Sequence, residues 1–305
     1  MSKIKRTYIP GSEWFYIKIY TGIKSADKIL INNISPIIRR LIKEGVIKKW
    51  FFIRYTDPDF HLRIRAYTKD KKNIPYILDL FYIRLNALNK NSQVWKIQID
   101  TYNRELERYG NSLITYGESI FYLDSDCILS ILKYIDNAKN EHYRWMIALR
   151  LVDSFLSDFS FTLEQKFYYT EKVKNAFLNE FGYDEFNSKQ LNEKYRFLRS
   201  TINDVFNETK LDGVLYEMNQ CIIKRSQELR PLIIELKRKA GKTNININFL
   251  LSSYIHMMIN RLFRSKNRLH ELVIHDLLVR YYKGELARKK YDLSYSKKNE
   301  ISIEI

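Results

Sequence analysis

The stretch Trp50 to Tyr67, WFFIRYTDPDFHLRIRAY, leaves little freedom in what it can become. Trp50 to Tyr55 is aromatic and β-branched, Thr56-Asp57-Pro58-Asp59 has turn chemistry, and His61 to Tyr67 alternates polar and apolar residues. The segment reads as two short strands joined by a turn. Successive side chains on a strand point to opposite faces, so His61, Arg63 and Arg65 share one face while Leu62, Ile64 and Ala66 take the other, facing the core. Three potential cations spaced over about 13 Å, at roughly 3.3 Å per residue, form an anion-holding surface on a rigid element. An ordinary half-exposed strand carries the same pattern, so the hairpin needs company before it means function.

The chain has 305 residues, enough for one large domain or two smaller ones, and 45% of them are hydrophobic. No apolar run reaches the length of a membrane-spanning helix, and the start, MSKIKRTYIPGSEW, lacks the apolar core of a secretion signal. Cys127 and Cys221 are far apart in sequence and suggest neither a disulfide framework nor a zinc site. These features predict a cytoplasmic protein. The net charge of +17 predicts an acidic ligand or partner without saying whether it is RNA, a peptide or a carboxylate. The Lys residues are scattered over many helices instead of massed in one arm, which weakens the nucleic-acid reading.

The periodicity predicts an α+β fold: a small antiparallel sheet with flanking helices, followed by a mostly helical C-terminal bundle. Residues 13–20 read as a first strand. Ser25 caps a helix from Ala26 to about Glu44, kinked or divided at Pro36 and ended by Gly45. Residues 71–89 read as a helix and 94–102 as a further strand. Helices follow over 124–136, 141–158, 162–181, 188–206, 213–239, 247–264 and 269–288. Residues 1–288 are expected to form a single domain, sheet-containing to about 115 and helical from 116. Residues 289–305 lose helical period and read as a frayed tail, with an edge strand at Ser302 to Ile305 as the alternative.

Two further segments carry chemistry. Asp100 to Gly110, DTYNRELERYG, places Glu105 and Arg108 three apart on one face of a helical turn. That is either a solvated ion pair or a carboxylate orienting a guanidinium at a site, where the planar fork of Arg can grip a carboxylate through two bonds. Ser252 to Arg261, SSYIHMMINR, puts Ser252, His256 and Asn260 on one helical stripe. An imidazole there is a satisfied core group or a proton carrier suited to neutral pH. His270 and His275, spaced by five, are not a clear metal pair, and HExxH, CxxC, GxGxxG, Walker and GxSxG signatures are all lacking. No metal or cofactor is expected.

Taken together and in order, WFYIKIY, WFFIRYTDPDFHLRIR, YNRELERYG and HMMINR resemble the small C-terminal domain of class I lanthipeptide dehydratases, over roughly residues 13–285. That domain also occurs alone, as a thiopeptide-type bacteriocin biosynthesis protein. One departure is Asn111 after ERYG, where the family often has a second Gly. The resemblance implies a split elimination subunit. A separate tRNA-dependent subunit would glutamylate Ser or Thr of a precursor peptide. This chain would then remove the α proton and expel glutamate, leaving dehydroalanine or dehydrobutyrine. It implies catalytic roles for Arg63, Arg65, Glu105, Arg108 and His256, and substrate contacts for His61, Arg54, Asn260 and Arg261. Direct tRNA binding is not expected, and a homodimer stays open. Two readings compete: an aza-[4+2] cyclase joining dehydroalanines, as in stand-alone thiopeptide relatives, and a basic peptide- or RNA-binding module without catalysis.

Overall fold

The structure, a computed structural model, describes residues 4–182, 185–211, 213–243 and 245–301, with backbone alone at 185–188 and 292–301. It is an α+β protein. The chain divides into two compact units, Met1–Arg144 with Glu217–Asn267, and Trp145–Tyr216 with Arg268–Ile305. The returning stretch Glu217–Asn267 belongs to the unit that holds the sheet.

In the first unit, β2 (Trp14–Thr21), β3 (Lys49–Tyr55), β4 (His61–Tyr67) and β5 (Val94–Ile99) form an antiparallel sheet in the order β3-β4-β2-β5. The hairpin register pairs Tyr55 with His61, Ile53 with Arg63 and Phe51 with Arg65. Leu62, Ile64 and Ala66 are fully buried on the other face, together with Ile17, Ile19, Trp50 and Phe52. Helix α3 (Ile74–Lys90) packs on that face, with Phe81 5.3 Å from Phe15 between ring centres. The helix expected over 26–44 is present but interrupted: α1 (Ala26–Ile29), a π-helical turn over Leu30–Ile34, then α2 (Ser35–Lys43). Pro36 has no N–H for the carbonyl one turn back, and the wider turn just before it absorbs that loss.

A two-stranded ribbon, β1 (Thr7–Tyr8) with β6 (Tyr102–Asn103), escapes sequence patterning because two residues show no period. After α4 (Leu106–Tyr109), helix α5 (Ile114–Ala138) begins ten residues earlier than its periodicity predicts. Gly117 lies inside this helix. In the fold it is a close-packing point: a Cβ there would lie 3.3 Å from the Tyr254 hydroxyl.

The remaining helices are α6 (His142–Asp158), α7 (Leu163–Phe181), α8 (Glu185–Phe206), α9 (Gly213–Ala240), α10 (Ile247–Leu262) and α11 (Asn267–Ile301). Thr162 starts α7 with a capping box, since Gln165 N–H donates to Thr162 Oγ1 (3.2 Å) and Thr162 N–H to Gln165 Oε1 (2.9 Å). In the second unit, Asp153 accepts from the Tyr282 hydroxyl (2.8 Å) and Lys166 (2.6 Å). Burial pushes the His275 imidazole down to about 4. It is neutral and packs against Tyr169 and Phe177. The expected frayed tail is corrected: α11 continues to Ile301, since no Gly or Pro follows Gly284 to stop it. Ser302 to Ile305 lie outside the described residues. Cys127 and Cys221, remote in sequence, meet across α5 and α9 as free thiols, with Cys127 Sγ 3.5 Å from the Cys221 carbonyl. Among the described residues no helix is long and apolar enough to cross a membrane.

Candidate active site

An edge strand leaves a row of backbone N–H and C=O groups without ladder partners. At β3 those groups are met by helix side chains. The Phe52 N–H lies 3.3 Å from Ser125 Oγ of α5. The Arg54 N–H donates to Asn260 Oδ1 and the Asn260 amide donates back to the Arg54 carbonyl, both at 2.9 Å. Asn260 is thus a clamp that seats α10 on the sheet edge, and its amide is not available to a substrate. This seating decides which other α10 side chains turn toward the Arg face.

They are Met257 and Arg261. With Phe51, Ile53 and Arg65 from the sheet, Tyr102 and Asn103 from β6, Glu105 and Tyr109 around α4, and Ile114 and Phe121 from α5, they line a cavity holding about 390 Å³ of free space, part of it open to solvent. Arg65 stands above the Tyr16, Phe51 and Tyr102 rings, and among the described residues no carboxylate pairs with it. Arg261 is fully buried and stands over the Phe121 ring. Its NH1 reaches Asp124 Oδ2 at 3.3 Å, but Asp124 also takes a 2.9 Å bond from Arg225. One carboxylate therefore serves two guanidiniums. Arg65 Nε, Arg261 Nε and Arg261 NH2 are buried without hydrogen-bond partners. Burial pushes Arg261 down to about 10, with Asp124 opposing and Arg65 adding to the shift. It still carries its charge at neutral pH. A pocket walled by two under-compensated guanidiniums attracts an anion.

Glu105 stands just before α4 at the cavity wall, and Arg108 NH1 lies 3.2 Å from its Oε2, both side chains substantially exposed. Gly110 makes this turn possible. Its φ of +76° suits Gly, and a Cβ there would overlap the Ile245 side chain. Gly110→Ala is expected to destabilise the protein by about 1–3 kcal/mol, read as a lower denaturation midpoint. Asn111, by contrast, is exposed and outside the left-handed region, so the departure from a second Gly is sterically free.

The remaining expected site residues fall elsewhere. His61 is fully buried between Tyr20 and Tyr55 and holds Arg63. Arg63 Nε donates to His61 Nε2 at 3.0 Å, which requires the imidazole proton on Nδ1, 2.8 Å from the Asp59 carbonyl. Burial lowers the His61 pKa, opposed by the Asp59 carbonyl and reinforced by Arg63. Arg63 also lies 3.5 Å over the Tyr55 ring. Arg54 is corrected: its cross-strand partner is Leu62, so it points to the opposite face. There it bonds Asp27 (2.6 Å) and the Arg261 carbonyl (3.0 Å). His256 is half-buried, one helical turn before Asn260 on the helix that supplies Met257 and Arg261. Arg63, Arg108 and His256 are not part of the cavity lining.

Sequence reading missed Tyr102, Arg104, Glu118 and Asp124. Arg104 grips the fully buried Glu118 through both carboxylate oxygens at 2.7 Å. A Glu in a helix gives no local sign of burial. The one available hint was the apolar company of Glu118 and Asp124 in ESIFYLD. Among the described residues no group of three or more His, Cys, Asp or Glu is placed to hold a metal.

Residues 14–282 match the family described as lantibiotic biosynthesis dehydratase C-term. The subtilin biosynthesis protein SpaB of Bacillus subtilis is 27% identical over 297 residues, covering 93% of this chain and 28% of SpaB. The tRNA-dependent lantibiotic dehydratase MibB of Microbispora sp. 107891 shares the fold, with TM-score 0.73, 20% identity, and coverage of 92% of this chain and 29% of MibB. The pyridine synthase TbtD, from thiomuracin biosynthesis, also shares it, with TM-score 0.59, 9% identity, and coverage of 89% and 99%. The chain thus spans less than a third of the length of SpaB and MibB.

Proposed function

This chain belongs to the lantibiotic biosynthesis dehydratase C-terminal family, and on that premise we propose that it is a lyase eliminating glutamate from glutamylated Ser or Thr of a precursor peptide. The observation that carries the reading is the pair of under-compensated guanidiniums, Arg65 and Arg261, in the wall of one cavity. Glutamylation replaces hydroxide by a carboxylate leaving group, whose conjugate acid has a pKa near 4.3. The α proton beside an amide is only weakly acidic, so charge developing on the carbonyl oxygen needs fixed donors. Guanidiniums stay charged in a partly dry site and do not surrender their protons.

In this scheme Arg65 and Arg261 receive the enolate oxygen or the glutamyl carboxylate, with Arg63 and Arg108 adding positive potential nearby. Glu105 orients Arg108 or takes part in proton transfer. His256, on the helix that carries Arg261, moves a proton, as base toward the α proton or as acid to the leaving carboxylate. As the Cα–H electron pair becomes the new C=C bond, the Cβ–O bond breaks and glutamate leaves as a carboxylate with the Cβ–O bonding pair. A separate subunit supplies the glutamyl group from tRNA, and no cofactor is needed.

Mass spectrometry of a synthetic glutamyl-Ser peptide incubated with the protein tests this. Free glutamate and a dehydrated peptide are expected. Turnover only of peptides already carrying dehydroalanines would replace the reading by cyclisation, a chemistry the TbtD fold also hosts. Salt-sensitive tRNA binding, with biological activity unchanged by His256→Ala, would replace it by a non-catalytic module.

A further inference from the structure

Arg65 is held by ring faces where most buried guanidiniums are held by carboxylates. Its guanidinium carbon lies 4.4 Å from the Tyr16 ring centre, 4.6 Å from that of Tyr102 and 5.3 Å from that of Phe51. Attraction to a ring face is broad in angle, whereas a hydrogen bond is directional. The aim of Arg65 therefore depends on how firmly its rings are fixed. Tyr16 and Phe51 are its cross-strand partners on β2 and β3, fixed by the sheet ladder. Tyr102 has weaker support, since β6 is two residues long and pairs with an equally short β1.

The Tyr102 ring packs against Trp14, Tyr8 and Phe51, and a hydrogen-bonded tether at its far end adds the directional hold that ring packing lacks. Its hydroxyl donates to Glu118 Oε1 at 3.1 Å. Arg104 holds both oxygens of Glu118 and is itself anchored to the Lys5 carbonyl at 3.1 Å. Glu118 does not line the cavity, so its influence passes through Tyr102. We propose that Tyr102 and Glu118 are positioning residues that set the orientation of Arg65, through the chain Arg104–Glu118–Tyr102–Arg65. The catalytic consequence rests on the elimination reading; the positioning itself does not.

The test therefore has a structural and a kinetic arm. The Arg65 Nε–H resonance, identified by its disappearance in Arg65→Lys, should be ring-shifted in the wild type and move toward the position of free arginine in Tyr102→Phe. An unmoved resonance overturns the proposal. In the kinetic arm, Tyr102→Phe keeps the ring and removes the tether. It should lower kcat for glutamate release by roughly tenfold, the worth of one hydrogen bond, with KM little changed. Added to Arg65→Ala it should cost nothing more, because both changes disable one group. Equal losses in the two backgrounds would show that Tyr102 acts independently of Arg65, against the proposal. A resonance that moves in a protein releasing no glutamate would support the positioning while removing the elimination reading. Glu118→Gln should reproduce the shift if it folds; the milder Tyr102→Phe carries the test alone if it does not.

Discussion

Alanine at Arg65 is expected to slow glutamate release by roughly 100- to 1,000-fold, the usual cost of losing one well-aimed donor to a developing oxyanion. The loss should fall on kcat, because the guanidinium acts most strongly where charge appears in the transition state. Lysine should not rescue it. An ammonium on a flexible stem lacks the planar fork and stacks less well on the Tyr16 and Tyr102 rings. Stability should stay level or rise. Among the described residues Arg65 has no carboxylate partner, and its charge works against that of the neighbouring Arg261. Single-turnover kinetics together with thermal unfolding check both halves. Full activity in Arg65→Ala would take the chemistry out of this cavity, and a large drop in stability would make Arg65 a structural residue.

The largest stability effect is expected at Asp27. This carboxylate, 2% exposed, accepts hydrogen bonds from Arg54 (2.6 Å), Arg144 (2.8 Å) and Arg264 (2.6 Å). Asp27→Ala would leave the buried Arg54 guanidinium without its carboxylate and Arg144 with Glu141 as its remaining one. Breaking a buried pair by removing one partner costs about 3–5 kcal/mol. Against a typical total stability of about 5–15 kcal/mol, that populates unfolded protein visibly. The damage also reaches the cavity, since Arg54 bonds the Arg261 carbonyl and its backbone seats Asn260.

Acid should have a related effect. Burial raises the Asp27 pKa, but Arg54, Arg144 and Arg264 together outweigh it and hold the carboxyl at about 2, below its ordinary 3.8. A depressed folded-state value means that the ionised form supports folding. The contribution, about 2 kcal/mol, is complete above the ordinary value and lost as pH falls toward the folded one. Denaturation midpoints of the wild type and Asp27→Asn should therefore converge as pH drops from 5 toward 2. A constant gap would show that Asp27 is not what the acid titrates.

The hairpin was legible because its information is local. Alternation assigns His61, Arg63 and Arg65 to one face and Leu62, Ile64 and Ala66 to the other without knowledge of what lies above either. The same alternation, carried across the register to β3, would have put Arg54 beside Leu62 and away from the cavity. The substrate contact expected for Arg54 came from the resemblance, and the register sets its side chain on the face opposite Arg63 and Arg65. Helix lengths were legible where caps and breakers agree, as at Thr162. They were less so at α5, which starts ten residues before the start its periodicity predicts.

What the linear chain determined by itself is the set of periodic elements and the row of cations on β4, because side-chain direction follows from backbone period alone. What tertiary structure decided is which charged groups are neutralised and which are left to face a ligand. Arg54 and Arg261 are both buried Arg residues in apolar surroundings. Arg54 shares Asp27 with Arg144 and Arg264 on the face away from the cavity and keeps one nitrogen unbonded, whereas Arg261 shares Asp124 with Arg225 and keeps two nitrogens unbonded in the cavity wall beside Arg65. The partners that make this difference lie between 27 and 137 residues away. Electrostatic compensation depends on distance in space, and no local pattern encodes it.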